Sequence, residues 1–262
     1  MILRICEVIE RLWQPAAERP AETVDGLAAG EPDTEVRGIA VAFTASQCVL
    51  EQARERGANL LIVHEGVYYR HAGRAAREDD VSRIKREAIV ASGVAVYRFH
   101  DGIHRYRPDG ITLALAKALG WASRIVEHRP AAALLTLPMQ SAAEVASHVK
   151  ARLGLPFVRL AGDPATSCVR VGLLAGYRGG GELAIPLYEE GVDLLIAGEG
   201  PEWETPEYVR DAVAQGRPKA LLLLGHAASE EPGMAALAEE LRRVYPQVPV
   251  LFLSDPPIFQ SL

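Results

Sequence analysis

The chain has 262 residues, of which 49% are hydrophobic and 24% are charged, and its formal net charge is −6. This size and composition fit one large domain or two modest ones with a sizeable buried core, and they argue against a disordered chain. The acidic balance argues against broad binding to nucleic acid or to an anionic membrane, and no apolar run approaches the roughly 20 residues needed to cross a bilayer. Cys6, Cys48 and Cys168 are far apart in the sequence, which indicates reduced thiols in a cytoplasmic protein.

Short apolar runs alternate along the chain with longer amphipathic stretches. The helical spacing predicts helices at 3–13, 45–56, 80–92, 109–119, 141–153, 182–190, 205–215 and 233–244. The apolar runs predict strands at 37–43, 59–63, 94–99, 132–137, 168–175, 192–197, 219–224 and 249–253. This alternation implies an α/β fold with mainly parallel sheets that are covered by helices.

Two segments of the sequence resemble each other. Residues 57–66, Gly-Ala-Asn-Leu-Leu-Ile-Val-His-Glu-Gly, are similar to residues 191–200, Gly-Val-Asp-Leu-Leu-Ile-Ala-Gly-Glu-Gly. Either α/β units look alike for physical reasons, or the chain consists of two related α/β halves that face each other across a cleft. The second interpretation predicts halves at 1–127 and 128–262, with residues 226–230 returning to the shared cleft.

Three apolar runs end in a histidine that is followed closely by a second side chain able to bind a metal. The pairs are His64 with Glu65, His100 with His104, and His226 with Glu230. In open α/β sheets, functional groups collect where strands end, because the loops there line a crevice. Neutral imidazole and carboxylate are usual ligands of zinc, iron, manganese and nickel, so the six side chains predict a metal site with more than one ion in the cleft. The alternative is a set of ordinary surface or hydrogen-bonded histidines.

The spacing within the pairs predicts their local structure. Residues four apart share one face of a helix, so His226 and Glu230 are predicted to lie on one helical turn. His100 and His104 have the same spacing, but Gly102 lies between them. A helix and a loop therefore both remain open for the middle pair.

Four further residues border the predicted site. Arg70 and His71 lie in the loop after the first ligand pair, and Arg178 lies in the glycine-rich segment 176–182. These three could bind an anionic substrate, with a solvated loop or a simple turn as the alternatives. Glu199 occupies the position that corresponds to Glu65 in the similar segment, and it could transfer protons as a general acid or base or be a surface carboxylate.

The order of these motifs resembles that of the NIF-three-like dinuclear metal-centre family, whose members are also labelled GTP cyclohydrolase one type two. That family usually shows T-H-H-P-L-I-F-R at a strand end, then H-T-N-L-D, and G-H-x-x-S-E near the C-terminus. The corresponding segments here are Val63–Arg70, His100–His104 and Gly225–Glu230. The second histidine of the first motif is Glu65 here, and the aspartate of the second motif is His104. A histidine and a carboxylate have exchanged positions, so four histidines and two carboxylates are kept.

The resemblance implies a two-domain NIF-three-like fold and a toroidal homohexamer whose metal sites face the interior. A family segment W-D-N-V-G-L becomes Thr23-Val24-Asp25-Gly26-Leu27, which indicates a divergent member. We expect a dinuclear, metal-dependent hydrolase that acts on a nucleotide-like or phosphorylated small molecule. The alternative is a metal-binding scaffold or regulatory protein without catalysis. GTP cyclohydrolase activity is a third hypothesis, for which the sequence shows no purine pocket.

Overall fold

A computed structural model of the chain describes residues 2–69, 71 and 79–260. The chain forms two compact units. The first unit consists of Met1–Arg107 with Met234–Pro257, and the second consists of Pro108–Gly233 with Ile258–Leu262. The single boundary that the sequence analysis drew at 127/128 falls within the second unit.

The first unit contains a sheet of five described strands. Its elements are, in chain order, α1 (Ile5–Trp13), β1 (Gly26–Ala29), β2 (Ile39–Ala42), α2 (Gln47–Glu55), β3 (Leu60–Val63), α3 (Asp80–Ser92), β4 (Ala95–Arg98) and α4 (Asp101–His104), followed after the second unit by β11 (Val250–Phe252). The strand order is β1-β4-β3-β2-β11. All neighbouring pairs are parallel except β1 with β4.

The three central strands of this sheet are buried along their whole length. Every residue of β2, β3 and β4 is buried, and most are apolar. Continuous apolar runs are typical of parallel strands whose two faces are both covered. Val63 of β3, Val49 of α2 and Ile89 of α3 belong to one core cluster, so α2 and α3 shield the sheet from water.

The second unit contains a sheet of six described strands. Its elements are α5 (Gly110–Ala118), a 3₁₀ turn (Ala122–Arg124), β5 (Ile125–His128), β6 (Ala133–Ser141), α6 (Ala142–Leu153), β7 (Arg159–Gly162), β8 (Ser167–Leu174), α7 (Gly181–Glu189), β9 (Leu194–Ala197), α8 (Thr205–Ala214) and β10 (Ala220–Leu223). The helix α9 (His226–Val244) follows β10. The strand order is β5-β6-β8-β9-β10-β7.

Only the centre of the second sheet is parallel. The strands β8, β9 and β10 are parallel, whereas the pairs β5–β6, β6–β8 and β10–β7 are antiparallel. The prediction of mainly parallel sheets therefore describes the first sheet and the centre of the second, but not its outer strands. The link from His128 to Ala133 is too short for the crossover of a dozen or more residues that parallel strands require, so β5 and β6 form a hairpin.

Both units contain three consecutive parallel strands, β2-β3-β4 and β8-β9-β10. The two similar sequence segments, 57–66 and 191–200, contain β3 and β9, which are the middle strands of these triplets. This correspondence supports the prediction of two related halves. Two contacts explain the bounds of the units. The helix α5 belongs to the second unit because it packs against β8, and β11 belongs to the first unit because it pairs with β2.

The predicted elements are present, and the missed ones are short. All eight predicted strands and all eight predicted helices overlap observed elements. The sequence analysis missed β1, β5 and β7, which lie at sheet edges and contain no fully buried residue. No apolar run marks such strands. The helix α9 runs through Pro232, so it joins the predicted ligand turn at 226–230 to the helix predicted at 233–244.

The helix α9 is the longest described helix, with 19 residues. It alternates buried residues such as Leu237 and Leu241 with exposed charged ones such as Glu239 and Arg243. Within the described ranges, no helix is both long and apolar enough to cross a membrane. Among the described residues the cysteines are free thiols.

Candidate metal sites

The first set of candidate ligands, here called the N-terminal cluster, contains His64, Glu65, His100 and His104. His64 and Glu65 follow β3, His100 follows β4 after one residue, and His104 ends α4. The ring centroids of His64, His100 and His104 lie 4.6–5.1 Å apart. One ligand nitrogen from each ring lies within 4.8 Å of the others. The structure therefore brings together the four residues of the first two predicted pairs.

Backbone hydrogen bonds fix the strand ends that carry this cluster. The N–H groups of His64 and Glu65 both donate to the Phe43 carbonyl, at 3.0 and 2.9 Å. The Phe99 N–H donates to the Val63 carbonyl at 2.7 Å. Because these bonds continue the parallel ladder beyond the ends of β3 and β4, both ligand pairs leave the sheet at the same edge.

Asp25 holds the start of α4, which is a role that sequence reasoning missed. Its carboxylate accepts the backbone N–H groups of His100, Asp101 and Gly102 at 2.7–2.8 Å. These N–H groups have no intrahelical acceptor at a helix start, and a carboxylate there is also favoured by the helix dipole. The signal in the sequence was the resemblance of Thr23–Leu27 to a family segment.

The middle pair lies on a short helix. Asp101–His104 form α4, which settles the choice between helix and loop that the spacing left open. Gly102 is required there, because a Cβ at this position would collide with the ring of Phe99. The glycine that obscured the helical prediction therefore permits close packing.

Hydrogen bonds fix the tautomers of two of the histidines. The Nδ1 of His64 lies 3.3 Å from the Phe99 carbonyl, and the Nδ1 of His100 lies 2.9 Å from Oδ1 of Asp101. Carbonyl and carboxylate oxygens only accept, so both Nδ1 atoms carry the proton and both Nε2 atoms carry the lone pair. Metal-binding histidines are usually oriented in this way by an oxygen acceptor.

The charge state of His100 suits metal binding. Burial, followed by the charges of His64 and His104, lowers the pKa of His100 to about 3. Burial raises the pKa of Asp101, but hydrogen bonds from His100, Thr23 and the Val24 N–H outweigh it and lower this pKa below its ordinary value. The His100 ring is therefore neutral at neutral pH, which is the form that binds a metal ion.

Glu65 is held from its own loop and by a buried arginine. Its Oε2 accepts the Gly66 N–H at 3.0 Å and a hydrogen bond from Nη2 of Arg98 at 3.2 Å. The Arg98 side chain is 9% exposed. The other carboxylate oxygen, Oε1, lies 3.7 Å from Nε2 of His100. The ion pair orients Glu65 with one oxygen toward the histidines.

The second set of candidate ligands, here called the C-terminal cluster, contains Glu199, His226 and Glu230. Glu199 follows β9, and His226 begins α9 directly after the turn that ends β10. His226 and Glu230 lie on one helical turn as predicted, with Nε2 of His226 3.1 Å from Oε2 of Glu230. Glu230 is 2% exposed. The structure therefore brings the third predicted pair together as well.

The proton on His226 has a defined position. Its Nδ1 lies 2.9 Å from Oε1 of Glu199, so Nδ1 donates to this carboxylate. In the neutral ring, Nε2 then carries a lone pair that faces the carboxylate of Glu230 at 3.1 Å. Two lone pairs at this distance repel each other unless a proton or a metal cation lies between them. A proton on Nε2, or a metal cation bound by both groups, would remove this repulsion.

Glycines shape the C-terminal cluster. Gly176, which follows β8, has φ +72°, and a Cβ there would collide with the carboxylate of Glu230. The hydroxyl of Ser229 accepts the Gly176 N–H at 2.9 Å and donates to the His226 carbonyl at 2.7 Å. The sequence suggested that the glycine-rich segment 176–182 helps to bind an anionic substrate, whereas in the structure Gly176 makes room for the side chain of Glu230.

The residues predicted to bind an anionic substrate have different surroundings. Arg178 donates to the carboxylate of Asp109 at 3.1 Å and to the Thr112 hydroxyl at 3.3 Å. The N–H of Gly181, at the start of α7, donates to Oε2 of Glu204 at 2.7 Å. A carboxylate of the protein thus occupies this helix start, in the segment where an anionic substrate was predicted to bind. His71 is exposed and lies beside Glu65, and Arg70 lies outside the described residues.

The donor atoms of both clusters fit a divalent transition metal. The N-terminal cluster offers three imidazoles and a carboxylate, and the C-terminal cluster offers one imidazole and two carboxylates. Nitrogen and oxygen donors of this kind suit zinc, iron, manganese and nickel. Fold and clusters together define an α/β protein with histidine–carboxylate clusters at the carboxyl ends of parallel strands.

The chain belongs to the Duf34/NIF3 (NGG1p interacting factor 3) family, whose model matches residues 1–257. A relative from Escherichia coli (strain K12), named "GTP cyclohydrolase 1 type 2 homolog", is 31% identical over 209 residues, which cover 79% of each chain. A relative of the same name from Clostridium perfringens (strain 13 / Type A) is 23% identical over 226 residues, covering 83% of this chain and 82% of the relative. The predicted family is confirmed.

Solved structures have the same fold. "Structural genomics, protein ybgI, unknown function" superposes with a TM-score of 0.78 at 26% identity, covering 97% of this chain and 99% of that one. "The Crystal Structure of Bacillus cereus protein related to NIF3" superposes with a TM-score of 0.77 at 14% identity, covering 99% of both chains. At the lower identity the likeness shows the fold alone.

Proposed function

We propose that each chain binds two divalent metal ions through the N-terminal and C-terminal clusters. The ligands are His64, Glu65, His100, His104, His226 and Glu230. The observation that supports this most strongly is the pattern of tautomers, because Nδ1 of His64, His100 and His226 each faces an oxygen acceptor. The lone pairs then lie on Nε2, beside other donor atoms.

A competition titration tests metal binding. Metal-free protein is titrated with zinc in the presence of a chromophoric chelator, and two binding events per chain are expected. His100→Ala and His226→Ala should each weaken binding by at least ~10-fold, because each loses a ligand. His128→Ala is the matched control, since His128 is exposed on the edge strand β5. Wild-type protein that binds no zinc would contradict the proposal.

We further propose that the metal-loaded protein is a hydrolase for a nucleotide-like or phosphorylated small molecule. Bound divalent ions supply Lewis acidity for such a reaction. Glu199 is the predicted proton-transfer residue, and its hydrogen bond to Nδ1 of His226 also orients that ring. Arg70, His71 and Arg178 remain predicted contacts for the substrate anion.

A panel of phosphoesters and nucleotides tests the hydrolase. Wild-type protein loaded with each of the four metals is assayed for product release, with His128→Ala as the control. Activity that is lost in His100→Ala and His226→Ala supports the proposal. Activity that survives unchanged in both variants assigns the reaction to another site.

A metal-binding scaffold without catalysis is the second candidate, and the surroundings of Arg178 favour it. The guanidinium pairs with the buried Asp109, and Glu204 caps the glycine-rich helix start. Two features predicted to bind a substrate anion thus serve internal contacts. This candidate predicts stoichiometric metal and no turnover across the panel. Chelation should still lower the unfolding temperature, because metal stabilises the state that binds it.

The name shared by the relatives motivates one specific assay. The relatives are named "GTP cyclohydrolase 1 type 2 homolog", so GTP belongs in the panel. Chromatography of GTP after incubation with metal-loaded protein shows whether the nucleotide is consumed. Unchanged GTP would exclude the activity in that name.

Assembly and location complete the proposal. The toroidal homohexamer is a prediction from family resemblance, and the cytoplasmic location is a prediction that the three free cysteines support. Light scattering coupled to size-exclusion chromatography measures the assembly directly. A mass of a single chain would contradict the ring.

A further inference from the structure

The first unit contains an open cavity between the helix α3 and the edge strand β1. Its volume is about 910 Å³, which falls within the roughly 300–1,000 Å³ of small-molecule sites in proteins. This space, here called the α3 cavity, is lined chiefly by residues 27–30 and by one face of α3. We propose that the α3 cavity binds a small carboxylate that has an apolar body.

The α3 cavity is separate from the N-terminal cluster. It reaches Asn59, which precedes β3, and Val94 and Ala95 at the start of β4. The N-terminal cluster follows the carboxyl ends of the same two strands. The cavity therefore lies at the opposite end of these strands, and none of the described residues that line it is a candidate metal ligand. Ligand binding there does not depend on metal.

Small residues keep the α3 cavity open. Ala28 and Ala29 contribute one methyl group each, and Gly30 and Gly93 contribute no side chain. The strand β1 pairs with β4 on one side, and no described strand covers its other side. A ligand can therefore occupy the space beside β1 without displacing a bulky side chain.

One face of α3 forms the opposite wall. Ser82, Arg86, Val90 and Gly93 line the cavity, and their spacing of four, four and three residues places them on one side of the helix. They extend over about 16 Å of the helix axis, at a rise of about 1.5 Å per residue. The wall is long enough to contact an extended ligand along its length.

The walls of the α3 cavity are mainly apolar. Leu27, Ile89, Val90 and Val94 contribute hydrocarbon surface to it. Val90 is 73% exposed although it lines the cavity. A ligand that covers Val90 removes this apolar surface from water, which favours binding. The cavity therefore favours a ligand with a hydrocarbon or aromatic body.

Arg86 determines the charge of the ligand. It is the only charged residue among the described residues that line the cavity, and its guanidinium carbon lies 5.6 Å from the ring centroid of Tyr68, which also lines it. A guanidinium is permanently charged and has five N–H donors, so it can bind a carboxylate in addition to its contacts within the protein. The Ser82 hydroxyl already donates to Oδ2 of Asp79 at 2.8 Å. Charge complementarity therefore places the carboxylate of the ligand beside Arg86.

Binding of the dye anilinonaphthalene sulfonate (ANS) tests the proposal. ANS is an apolar aromatic anion that reports accessible apolar surface by its fluorescence. Full-length protein is titrated with ANS in the presence of a chelator, so that metal ions do not bind the anion, and the bound dye is then displaced with decanoate or with its neutral analogue decanol. We expect ANS to bind and decanoate to displace it at lower concentration than decanol.

Two results of this titration would overturn the proposal. The first is ANS that decanoate does not displace. The second is protein that binds no ANS although light scattering shows a single chain. Absence of ANS binding in an oligomer would also overturn it, because the cavity would then be a contact between copies. Each result leaves the proposed metal sites intact, since the titration is made without metal.

A cavity-filling variant locates the bound dye. Val90→Trp should weaken ANS binding by at least ~10-fold, because the indole ring occupies the space of the ligand. Val81→Trp is the matched control, since Val81 is 63% exposed on the same helix and is not among the described residues that line the cavity. Thermal unfolding checks that both variants keep the fold. Wild-type ANS affinity in Val90→Trp would place the dye elsewhere and contradict the proposal.

An arginine variant tests the recognition of charge. Arg86→Gln should weaken decanoate binding by roughly 5–10-fold and leave decanol within about two-fold, because only decanoate loses a charge-assisted hydrogen bond. Arg83→Gln is the control, since Arg83 lies on the same helix and pairs with Glu87 and Asp80 at the surface. Equal weakening of decanoate and decanol, or no weakening of either, would contradict the assignment of the carboxylate to Arg86.

Discussion

The N-terminal and C-terminal clusters use the same ligand types, but the chain holds them differently. The N-terminal cluster contains three imidazoles on two strand ends and the short helix α4. Side chains that are far in the sequence from the groups they bind hold this cluster in place, chiefly Asp25 and Arg98. The C-terminal cluster is built from one turn of the long helix α9 and tight glycine turns. Regular structure places the second cluster, whereas specific polar contacts place the first.

The largest expected effect comes from Gly176, which makes room for Glu230. Gly176→Ala should lower the free energy of unfolding by roughly 2–4 kcal/mol, because it adds a collision to an unfavourable positive φ. Gly216→Ala is the matched control, since Gly216 has φ +75° and open space around its Cβ position, and it should cost about 1 kcal/mol. Chemical denaturation measures both. Equal costs would show that the close approach to Glu230 is unimportant.

The Asp25→Ala variant tests whether polar contacts hold the N-terminal cluster in place. Asp25→Ala removes the acceptor of three backbone N–H groups and should cost about 2 kcal/mol, with weaker zinc binding at the N-terminal cluster. Asp33→Ala is the control, because Asp33 is exposed and its ion pair, with the exposed Arg4 at 3.6 Å, lies at the surface. Denaturation and zinc titration check the two effects. Unchanged zinc affinity would contradict a supporting role for Asp25.

Two variants of Glu199 distinguish its role in orienting His226 from its predicted role in proton transfer. Glu199→Ala should weaken zinc binding at the C-terminal cluster by roughly 10–100-fold, because His226 loses the acceptor that orients it. Glu199→Gln keeps an acceptor oxygen and should bind zinc more tightly than the alanine variant. If Glu199 also moves protons, the glutamine variant loses turnover on any substrate found while keeping its metal. Wild-type zinc affinity in Glu199→Ala would exclude the positioning role.

At neutral pH the smallest effect is that of His100, which changes the stability only as the pH falls. Burial lowers its pKa to about 3 in the folded protein, whereas a histidine in the unfolded chain titrates near 6.5. The unfolded chain binds the extra proton below about pH 6.5, so stability of the metal-free protein is complete above that pH and falls as the pH drops. His100→Asn should reduce this slope by up to about 1.4 kcal/mol per pH unit. His128→Asn should not, and equal slopes in all three proteins would contradict this account.

The sequence predicted the ligands of the C-terminal cluster better than the residues that hold these ligands in place. Four-residue spacing identifies a helical turn, and His226 and Glu230 lie on one. Glu199 was recognised through the similar segment, but its hydrogen bond to Nδ1 of His226 was not foreseen. The collision that Gly176 avoids depends on a side chain far away in sequence, which a local pattern does not encode.

At the N-terminal cluster, even more of the supporting contacts join residues that are far apart in the sequence. Its ligands were predicted from strand ends, but Asp25 lies 75 residues from His100 and no spacing rule connects them. His71 was assigned to a substrate because it follows the first ligand pair in the chain. Its contacts with Arg98 and Glu65 depend on the pairing of β3 with β4, which only the fold reveals.

Elemental analysis gives the most direct test of metal binding at both clusters. Wild type, His100→Ala, His226→Ala and the control His128→Ala are loaded with zinc, dialysed and assayed for metal per chain. We expect two ions per chain for wild type and the control, and fewer for each cluster variant. Two ions retained in both cluster variants, or none in wild type, would contradict this expectation.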